Sequence, residues 1–197
     1  MDRVMSVDPV PGGGSVSALC GALAASLGCM VARLTAGRKK YADVEAEMLD
    51  VIDTLTPQVE ALTDDIDRDS HAYAAVMAAF KLPKETDDER RVRAGAIQDA
   101  TRQAAIVPLE VARRVTDIFP YIALVATKGN TNAITDAAVA AMAARTAILG
   151  ALLNVKINLG SITDADFVAS TAAEVTTLEA RAIEMEKQVL EIANAKI

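Results

Sequence analysis

The fold is decided by the stretch Ser15–Ala32, which reads SVSALCGALAASLGCMVA and contains no charged residue. This stretch is about as long as a membrane-spanning helix. Its side chains, however, are mostly those of Ala, Gly, Ser and Leu, and the other long segments of the chain are strongly amphipathic. Gly21 and Gly28 lie seven residues apart on one helical face, where they let another backbone approach closely. We therefore predict a buried central helix and no membrane span.

Glycines mark both borders of this central helix. Gly12, Gly13 and Gly14 lead the chain to Ser15, a residue type that is favoured as a helix N-cap. At the other end, Gly37 is expected to stop the helix after about residue 35.

Periodic apolar residues predict long helices over most of the remaining chain. No strand pair, hairpin turn or solenoid repeat interrupts the pattern. Thr86 and Glu89 have the spacing of a capping box, and Thr135 or Asp136 is expected to cap a later helix. The predicted helices are Val44–Phe80 with a kink or break at Pro57, Thr86–Phe119 with a kink at Pro108, Tyr121–Thr127, Thr135–Val155 broken off by Asn154, Asn158 and Gly160, and a last helix that starts at Thr163–Asp166.

The last predicted helix carries a heptad stripe, because its apolar residues alternate in steps of three and four. Together these elements predict an all-α fold, an up-and-down bundle of long helices that forms a single domain over residues 1–197. Two nearly uncharged helices in so small a domain indicate that one of them also packs against a second subunit. The stripe consists of Val168, Ala172, Val175, Leu178, Ala182, Met185, Val189 and Ile192.

Composition narrows the class of protein. Hydrophobic residues make up 52% of the 197 residues but aromatic residues only 3%, which favours close helix packing over sheets. The net charge of −7 argues against a general nucleic-acid binder, because nothing neutralises phosphates over a broad surface. Cys20 and Cys29 point to opposite faces of one helix and are predicted to be core thiols. Residues 1–11 contain no apolar signal segment, so we expect a cytoplasmic protein.

Several kinds of catalytic site are missing from the sequence. His71 is the only histidine, so a Ser-His-Asp or Cys-His arrangement would depend on it alone, and its charged surroundings favour a solvated side chain. No zinc-binding pattern, Walker loop or dinucleotide-binding glycine motif occurs. Acid or base catalysis must therefore come from carboxylates, lysines, tyrosines or bound water.

Four segments carry residues that are suited to chemistry. The glycines of Pro9–Ser15 let a ligand approach the N–H groups of a helix start, which suits an anionic or carbonyl oxygen. Asp67–Tyr73 places carboxylates in an otherwise apolar helix, where burial can raise their pKa. Gly129–Asp136 joins turn residues to a helix start, and Asn154 and Asn158 lie on one helical face, where buried amides need partners.

Each of these segments also has a purely structural interpretation. The glycine loop can be a plain helix lead-in, and Gly129–Asp136 can serve capping alone. For Asp67–Tyr73, a solvated face with local ion pairs is the favoured interpretation of the segment by itself. The individual segments therefore leave their roles open.

Taken together, six motifs in order resemble the family formed by the cyclodeaminase domain of formimidoyltransferase-cyclodeaminase and by stand-alone bacterial methenyltetrahydrofolate cyclohydrolases. Each motif is weak alone, but their order is specific, and the resemblance covers nearly the whole chain. Members of that family usually have a helix before the glycine loop, whereas only residues 1–7 remain of it here. The motifs are Pro9-x-Pro11-Gly12-Gly13-Gly14-Ser15, Gly37-Arg38, Asp69-x-x-Ala72-Tyr73, Lys81-Leu82-Pro83-Lys84, Gly129-Asn130 with Asp136, and Asn154-Val155-x-Ile157-Asn158-Leu159.

The resemblance implies a homodimer, a tetrahydrofolate substrate, and no metal or redox cofactor. It also implies that Asp69 is the proton donor. Asp136, near a helix start that keeps it ionised, is expected to steady a cationic substrate. Arg38, Lys81 and Lys84 are candidates to receive the folate carboxylates. The expected substrate-binding residues are Gly12, Gly13, Gly14, Ser15, Arg38, Lys81, Lys84, Asn130, Asn154 and Asn158.

The resemblance leaves two activities in competition. A cyclohydrolase adds water to 5,10-methenyltetrahydrofolate and yields 10-formyltetrahydrofolate, whereas a cyclodeaminase expels ammonia from 5-formimidoyltetrahydrofolate. We rank the cyclohydrolase first, because the chain has no formimidoyltransferase domain to supply the other substrate. A non-catalytic helical assembly protein is the alternative of a different class, and the heptad stripe is its best support.

Overall fold

A computed structural model describes residues 2–197, and among them it contains helices and turns but no strand. The predicted all-α bundle is therefore confirmed. Consecutive long helices are joined by short connections and pack against one another, which gives the up-and-down order. The elements are α1 (Gly13–Thr35), α2 (Glu45–Phe80), α3 (Asp87–Lys128), α4 (Ile134–Leu159) and α5 (Ala165–Asn194), with short 3-10 helices at Lys39–Val44 and Thr131–Ala133.

Helix α1 lies in the middle of the bundle, against α2 on one side and α4 on the other. Its glycines allow this close packing, as predicted. A Cβ atom on Gly21 would lie 2.7 Å from Cγ2 of Val115, and one on Gly28 would lie 2.8 Å from Cδ1 of Leu55. An added methyl group would therefore force Val115 or Leu55 to shift, and the stiff, β-branched Val115 makes glycine the more important at position 21. Cys29 is buried in this interface and Cys20 is half-buried, and burial raises the pKa of both free thiols.

The last helix uses its heptad stripe inside the chain. Of the eight stripe residues, Val175, Leu178, Ala182 and Val189 are buried, and three others pack against the core, while Ala172 is exposed. Helix α5 makes these contacts with α3 and α4. The stripe therefore supplies one layer of the protein's own core.

Three helix borders differ from the sequence prediction. Ser15 is not the N-cap of α1: Gly12 occupies that position, and the Ser15 side chain turns inward to α2. Helix α2 continues through Pro57 without a break. Helix α3 likewise runs on through Pro108 and Pro120, so the separate helix predicted at Tyr121–Thr127 is its last part. Packing along both neighbours outweighs the single hydrogen bond that each proline removes.

Helix α4 also differs at both of its ends. Neither Thr135 nor Asp136 caps it; the chain enters through the 3-10 turn, in which the side chain of Asn130 accepts from the N–H of Asn132. Asn154 and Asn158 do not break the helix, because their amides donate to main-chain carbonyls of neighbouring turns. By contrast, the Thr86–Glu89 capping box and the start of the last helix at Asp164 are confirmed.

Two segments, α1 and Thr131–Leu159, are long and apolar enough to cross a membrane by composition. In α1, 61% of the apolar 18-residue stretch is buried inside the bundle, as expected of a core helix. In the second segment the buried share is 44%. The core helices of soluble proteins can be equally long and apolar, so these segments are weak indicators of a membrane. What they do show is an uncovered apolar surface, which includes Leu19, Leu23, Met30 and Leu34 of α1 and Val139, Met142, Leu153 and Ile157 of α4.

Candidate active site

A cleft of about 390 Å³ opens where α1 begins, between α2 and α4. It is the place where the glycine loop, the Asp69 motif and the paired asparagines come together, although these segments are up to about 140 residues apart in the sequence. Its walls are formed by Pro9, Val10, Gly12, Gly13, Gly14, Asp69, Ala72, Tyr73, Val76, Ala104, Asn154, Ile157, Asn158 and Ser161.

Asp69 of α2 lies directly against the first turn of α1. The hydroxyl of Ser15 donates to Oδ2 of Asp69 at 2.8 Å. Gly14 makes this approach possible, because a Cβ atom at that position would lie 2.6 Å from Cγ of Asp69. Gly13 is less constrained, since its Cβ atom would meet Nδ2 of Asn154 at an ordinary 3.5 Å. The third glycine of the loop is therefore required by the carboxylate itself.

The surroundings of Asp69 favour its protonated form. Burial raises the pKa of its carboxyl, and the hydrogen bonds from Ser15 offset this only in part. Asp69 is the only carboxylate on the cleft wall. The solvated interpretation of this segment is thus wrong for Asp69, whereas Asp67 and His71 on the same helix are exposed. An acid with a raised pKa is suited to donate a proton near neutral pH.

Asn154 and Asn158 form the opposite wall, one turn apart on α4. The amide of Asn154 donates to the carbonyl of Gly150 at 2.9 Å, and that of Asn158 to the carbonyls of Ala104 and Asn154 at 2.9 and 2.8 Å. These bonds use both N–H groups of the Asn158 amide and one of the two on Asn154. The side-chain carbonyl oxygens remain as acceptors for the N–H groups of a ligand.

Three predicted site residues lie at the other end of the bundle. Helix α1 has 23 residues and is therefore about 34 Å long, and Arg38 follows its far end. Asn130 is also there, where its side chain donates to the carbonyl of Leu34 at 3.1 Å. Asp136 lies in the first turn of α4, about 27 Å along the helix from Asn154. Within one chain, these residues do not join the cleft, and their part in substrate binding stays a prediction.

Ser15 and the two lysines, Lys81 and Lys84, also lie outside the cleft wall. Ser15 has 1% of its surface exposed and lies behind the loop, so its side chain does not form part of the cleft wall. Lys81 and Lys84 are exposed and follow the end of α2, at the same end of the bundle as the cleft but beyond its walls.

The cleft wall also contains residues that were not named as site residues. Tyr73 and Ile157 belong to the motifs that carry the family resemblance. Val76 lies outside these motifs, seven positions after Asp69, and helical spacing would have indicated it. The fully buried Asp65 gave no such signal. It pairs with Arg68 at 2.5 Å and approaches Arg114 of α3 at 3.4 Å, one turn before Asp69.

The described residues contain no cluster of three or more His, Cys, Asp or Glu side chains with the spacing of a metal site. The donors that face the cleft are one carboxyl, one phenol, amides and main-chain groups. Such a set is suited to bind a polar, planar molecule and to transfer a proton to it.

Comparisons with known proteins agree with this geometry. The family model described as Formiminotransferase-cyclodeaminase matches residues 1–177. A methenyltetrahydrofolate cyclohydrolase of Methylorubrum extorquens is 38% identical over 197 residues, which are 100% of this chain and 95% of that protein. The formimidoyltransferase-cyclodeaminase of Mus musculus is 40% identical over 168 residues, which are 85% of this chain but only 31% of that longer protein.

A solved structure has the same fold. The formiminotetrahydrofolate cyclodeaminase of Thermotoga maritima superposes with a TM-score of 0.88 at 31% sequence identity, and the match covers 98% of this chain and 93% of that one. Sequence and structure thus agree over nearly the whole length, and the chain belongs to the formiminotransferase-cyclodeaminase family.

Proposed function

We propose that this chain is a methenyltetrahydrofolate cyclohydrolase, which converts 5,10-methenyltetrahydrofolate and water to 10-formyltetrahydrofolate. The observation that carries the proposal is the half-buried Asp69 carboxyl, held against the glycine loop in a cleft that is large enough for a small ligand. The full-length similarity to a cyclohydrolase supports the choice of this reaction.

The proposed chemistry needs one proton at one nitrogen. Water attacks the methenyl carbon and forms a tetrahedral intermediate, and the bond from this carbon to N5 then breaks. Asp69 gives its proton to N5 as that bond breaks and regains a proton from the oxygen that came from water. Of the two water protons, one therefore ends on N5 and the other is released. The reaction exchanges no electrons, so the proposal includes no redox cofactor. It also includes no metal, because the Asp69 side chain is proposed to supply the proton.

Asp69→Asn tests the proposal directly. We expect kcat to fall by roughly 10² to 10⁴, the usual contribution of a positioned acid, while KM stays within about threefold. The decay of methenyl absorbance measures both constants. Asp67→Asn is the matched control, because Asp67 is exposed on the same helix and should retain wild-type activity. Wild-type turnover by Asp69→Asn would overturn the assignment.

Cyclodeaminase activity is the second candidate, and the Thermotoga maritima neighbour favours it. The same acid is suited to that reaction, because the amino group on the tetrahedral carbon must be protonated before it leaves as ammonia. Incubation with 5-formimidoyltetrahydrofolate separates the two, since methenyl absorbance then rises instead of falling. A rate with this substrate that exceeds methenyl hydrolysis would reverse the ranking.

A non-catalytic assembly role has lost its main support, because α5 buries its heptad stripe inside the bundle. Calorimetric titration with tetrahydrofolate addresses what remains of this alternative. We expect binding at micromolar concentration, together with its loss in a variant whose cleft is filled.

The folate carboxylates are proposed to lie near Lys81 and Lys84, the basic pair at the cleft end of the bundle. The protein is acidic overall, so a local positive charge is needed there. Alanine at either lysine should raise KM more than it lowers kcat, with a weaker salt dependence than in the wild type. Arg38→Ala is the control at the far end; a raised KM in this variant would place the tail site there.

We also propose that the protein is a cytoplasmic homodimer that uses neither nucleic acid nor membrane as a partner. The exposed apolar residues of α1 and α4 form an uncharged surface that suits a second copy of the chain. Leu153→Glu should convert a dimer into a monomer in analytical ultracentrifugation. Ile183→Glu, at a similarly exposed apolar residue of α5, should leave the dimer intact.

A further inference from the structure

We propose that Ser15 is a positioning residue that hydrogen-bonds to Asp69 in both of its protonation states. The proposal rests on the assigned role of Asp69 as general acid and adds a partner that holds this acid throughout the reaction. It is carried by the position of one buried hydroxyl group between two acceptors.

Ser15 has a hydroxyl with one hydrogen and a choice of acceptors. Its Oγ lies 2.8 Å from Oδ2 of Asp69 and 3.0 Å from the carbonyl oxygen of Ile66, one turn earlier on α2. Oγ of Ser70 lies 3.3 Å away. Because only 1% of Ser15 is exposed, water does not substitute for these partners.

The two protonation states of Asp69 fit two settings of this hydroxyl. When Asp69 is ionised, Ser15 donates to its carboxylate. When Asp69 carries the proton on Oδ2, the acid donates to Oγ of Ser15, which turns its own hydrogen to the carbonyl of Ile66. When the proton is on Oδ1, where it is free for transfer to N5, Ser15 again donates to Oδ2. A hydroxyl donates once and accepts at its lone pairs, so it satisfies both settings. Neither state leaves a buried polar group of this trio without a partner.

Few other charged or titratable side chains lie near Asp69. The first turn of α1 and the cleft wall on α4 carry no charge, and Tyr73 is the other titratable side chain on the wall. On α2, Asp65 is paired with Arg68 and Arg114. Charged side chains of the neighbouring helices are engaged elsewhere: Arg102 of α3 pairs with Asp164, and Lys156 of α4 pairs with Glu179.

The hydroxyl has a defined effect on the acid. Hydrogen bonds from Ser15 lower the pKa of Asp69, against the larger rise that burial causes. Without the hydroxyl, the acid is harder to ionise and free to rotate. Since a general acid works in its protonated form, the rate falls as pH rises through its pKa. Removal of the hydroxyl should therefore move this alkaline limb to higher pH and lower the plateau below it.

The test compares pH profiles of methenyl hydrolysis. We expect Ser15→Ala to lose about tenfold in kcat on the plateau, with KM nearly unchanged and the alkaline limb shifted to higher pH. Ser15→Thr retains the hydroxyl and should return the limb toward its wild-type position. Ser70→Ala is the control, since it leaves the Ser15–Asp69 bond intact. A limb at the same pH in the wild type and in Ser15→Ala would overturn the proposal.

A second readout separates this proposal from the assigned function. Carboxyl ¹³C NMR of aspartate-labelled protein, with the Asp69 signal assigned by its absence in Asp69→Asn, follows the titration without substrate. A raised Asp69 pKa in Ser15→Ala supports the pairing even if Asp69→Asn is fully active, in which case only the assigned function fails. An unchanged Asp69 titration in Ser15→Ala contradicts the pairing.

Discussion

Both ends of the bundle carry titratable side chains, but their surroundings differ. At the cleft end, Asp69 is enclosed by the start of α1, and burial raises the pKa of its carboxyl. At the other end, Arg38 and the chain around Tyr41 are largely open to solvent. There, the hydroxyl and the N–H of Thr131, with the Lys40 ammonium, lower the pKa of the Tyr41 phenol to about 8.

This difference shows how the surroundings of a polar residue set its pKa. At the far end, solvent screens the charges around Arg38 and Lys40. On the described cleft wall, Asp69 is the one carboxyl, and desolvation favours its protonated form. Asn130, by contrast, holds a turn together through the hydrogen bonds of its side chain.

The largest effect that tests this comparison is expected from Gly14→Ala. The added Cβ atom would lie 2.6 Å from Cγ of Asp69, so the carboxyl must move. A displacement of about 1 Å at a reacting group can cost roughly 10²-fold in rate, and we expect at least that loss of kcat. Gly13→Ala is matched to it, because its Cβ atom makes only an ordinary contact, and it should keep most of the activity. Equal losses in both variants would mean that the loop acts through its flexibility.

A smaller effect is expected from the asparagines at the two ends. Asn154→Ala removes an amide from the cleft wall and should raise KM about tenfold, the cost of one lost hydrogen bond to a ligand. Asn130→Ala should leave KM unchanged but lower the unfolding free energy by about 1 kcal/mol, because two hydrogen bonds of the turn are lost. Steady-state kinetics and urea unfolding of the two variants measure both quantities. A raised KM in Asn130→Ala would mean that the far end contributes to substrate binding, by way of a partner subunit.

The raised pKa of Asp69 also predicts a pH-dependent cost in stability. Its pKa in the folded protein lies above the unfolded value, so folding favours the protonated form. The stabilisation of the folded state by the protonated Asp69 carboxyl is fully present below the unfolded pKa. It is lost as pH rises through the folded pKa. Asp69→Asn, which cannot ionise, should therefore be more stable than the wild type near pH 8, with the gain vanishing near pH 3. Urea midpoints across this range measure it, and a less stable variant at pH 8 would contradict the assigned burial.

The smallest expected effect is spectroscopic and concerns the far end. Tyr41 should ionise near pH 8, which ultraviolet absorbance of the phenolate detects, and Tyr41→Phe should remove this step. Thr131→Ala deletes the hydroxyl that contributes most to the shift and should move the titration to higher pH. We expect methenyl hydrolysis to follow the Asp69 limb and not this step. A rate that changes with the Tyr41 titration would mean that residues at both ends of the bundle take part in the reaction.

Much of the fold was predictable from local signals. The apolar run of α1, the capping box at Thr86 and the start of α5 all depend on residues within a few positions of one another, and all are confirmed. The errors at Pro120 and Asn154 have a shared cause. Each residue weakens a helix locally, and packing against neighbouring helices restores it.

The cleft was predictable only in part. Resemblance to a family indicated Asp69, Tyr73, Ile157 and the glycine loop, and helical spacing would have added Val76. The sequence did not separate Asn154, which is on the cleft wall, from Asn130, which is about a helix length away. Both are asparagines at predicted helix borders, and the difference between them depends on which helices pack together.

By itself, the sequence determined that this protein is a helical bundle with a glycine-lined helix at its centre, because helix formation and amphipathic periodicity are properties of neighbouring residues. It also determined the family. Only the tertiary structure decided which acid lies on the cleft wall and which partner it has. The pKa of a carboxyl depends on its solvation and its neighbours in space, and Ser15 and Asp69 meet only when the start of α1 packs against α2.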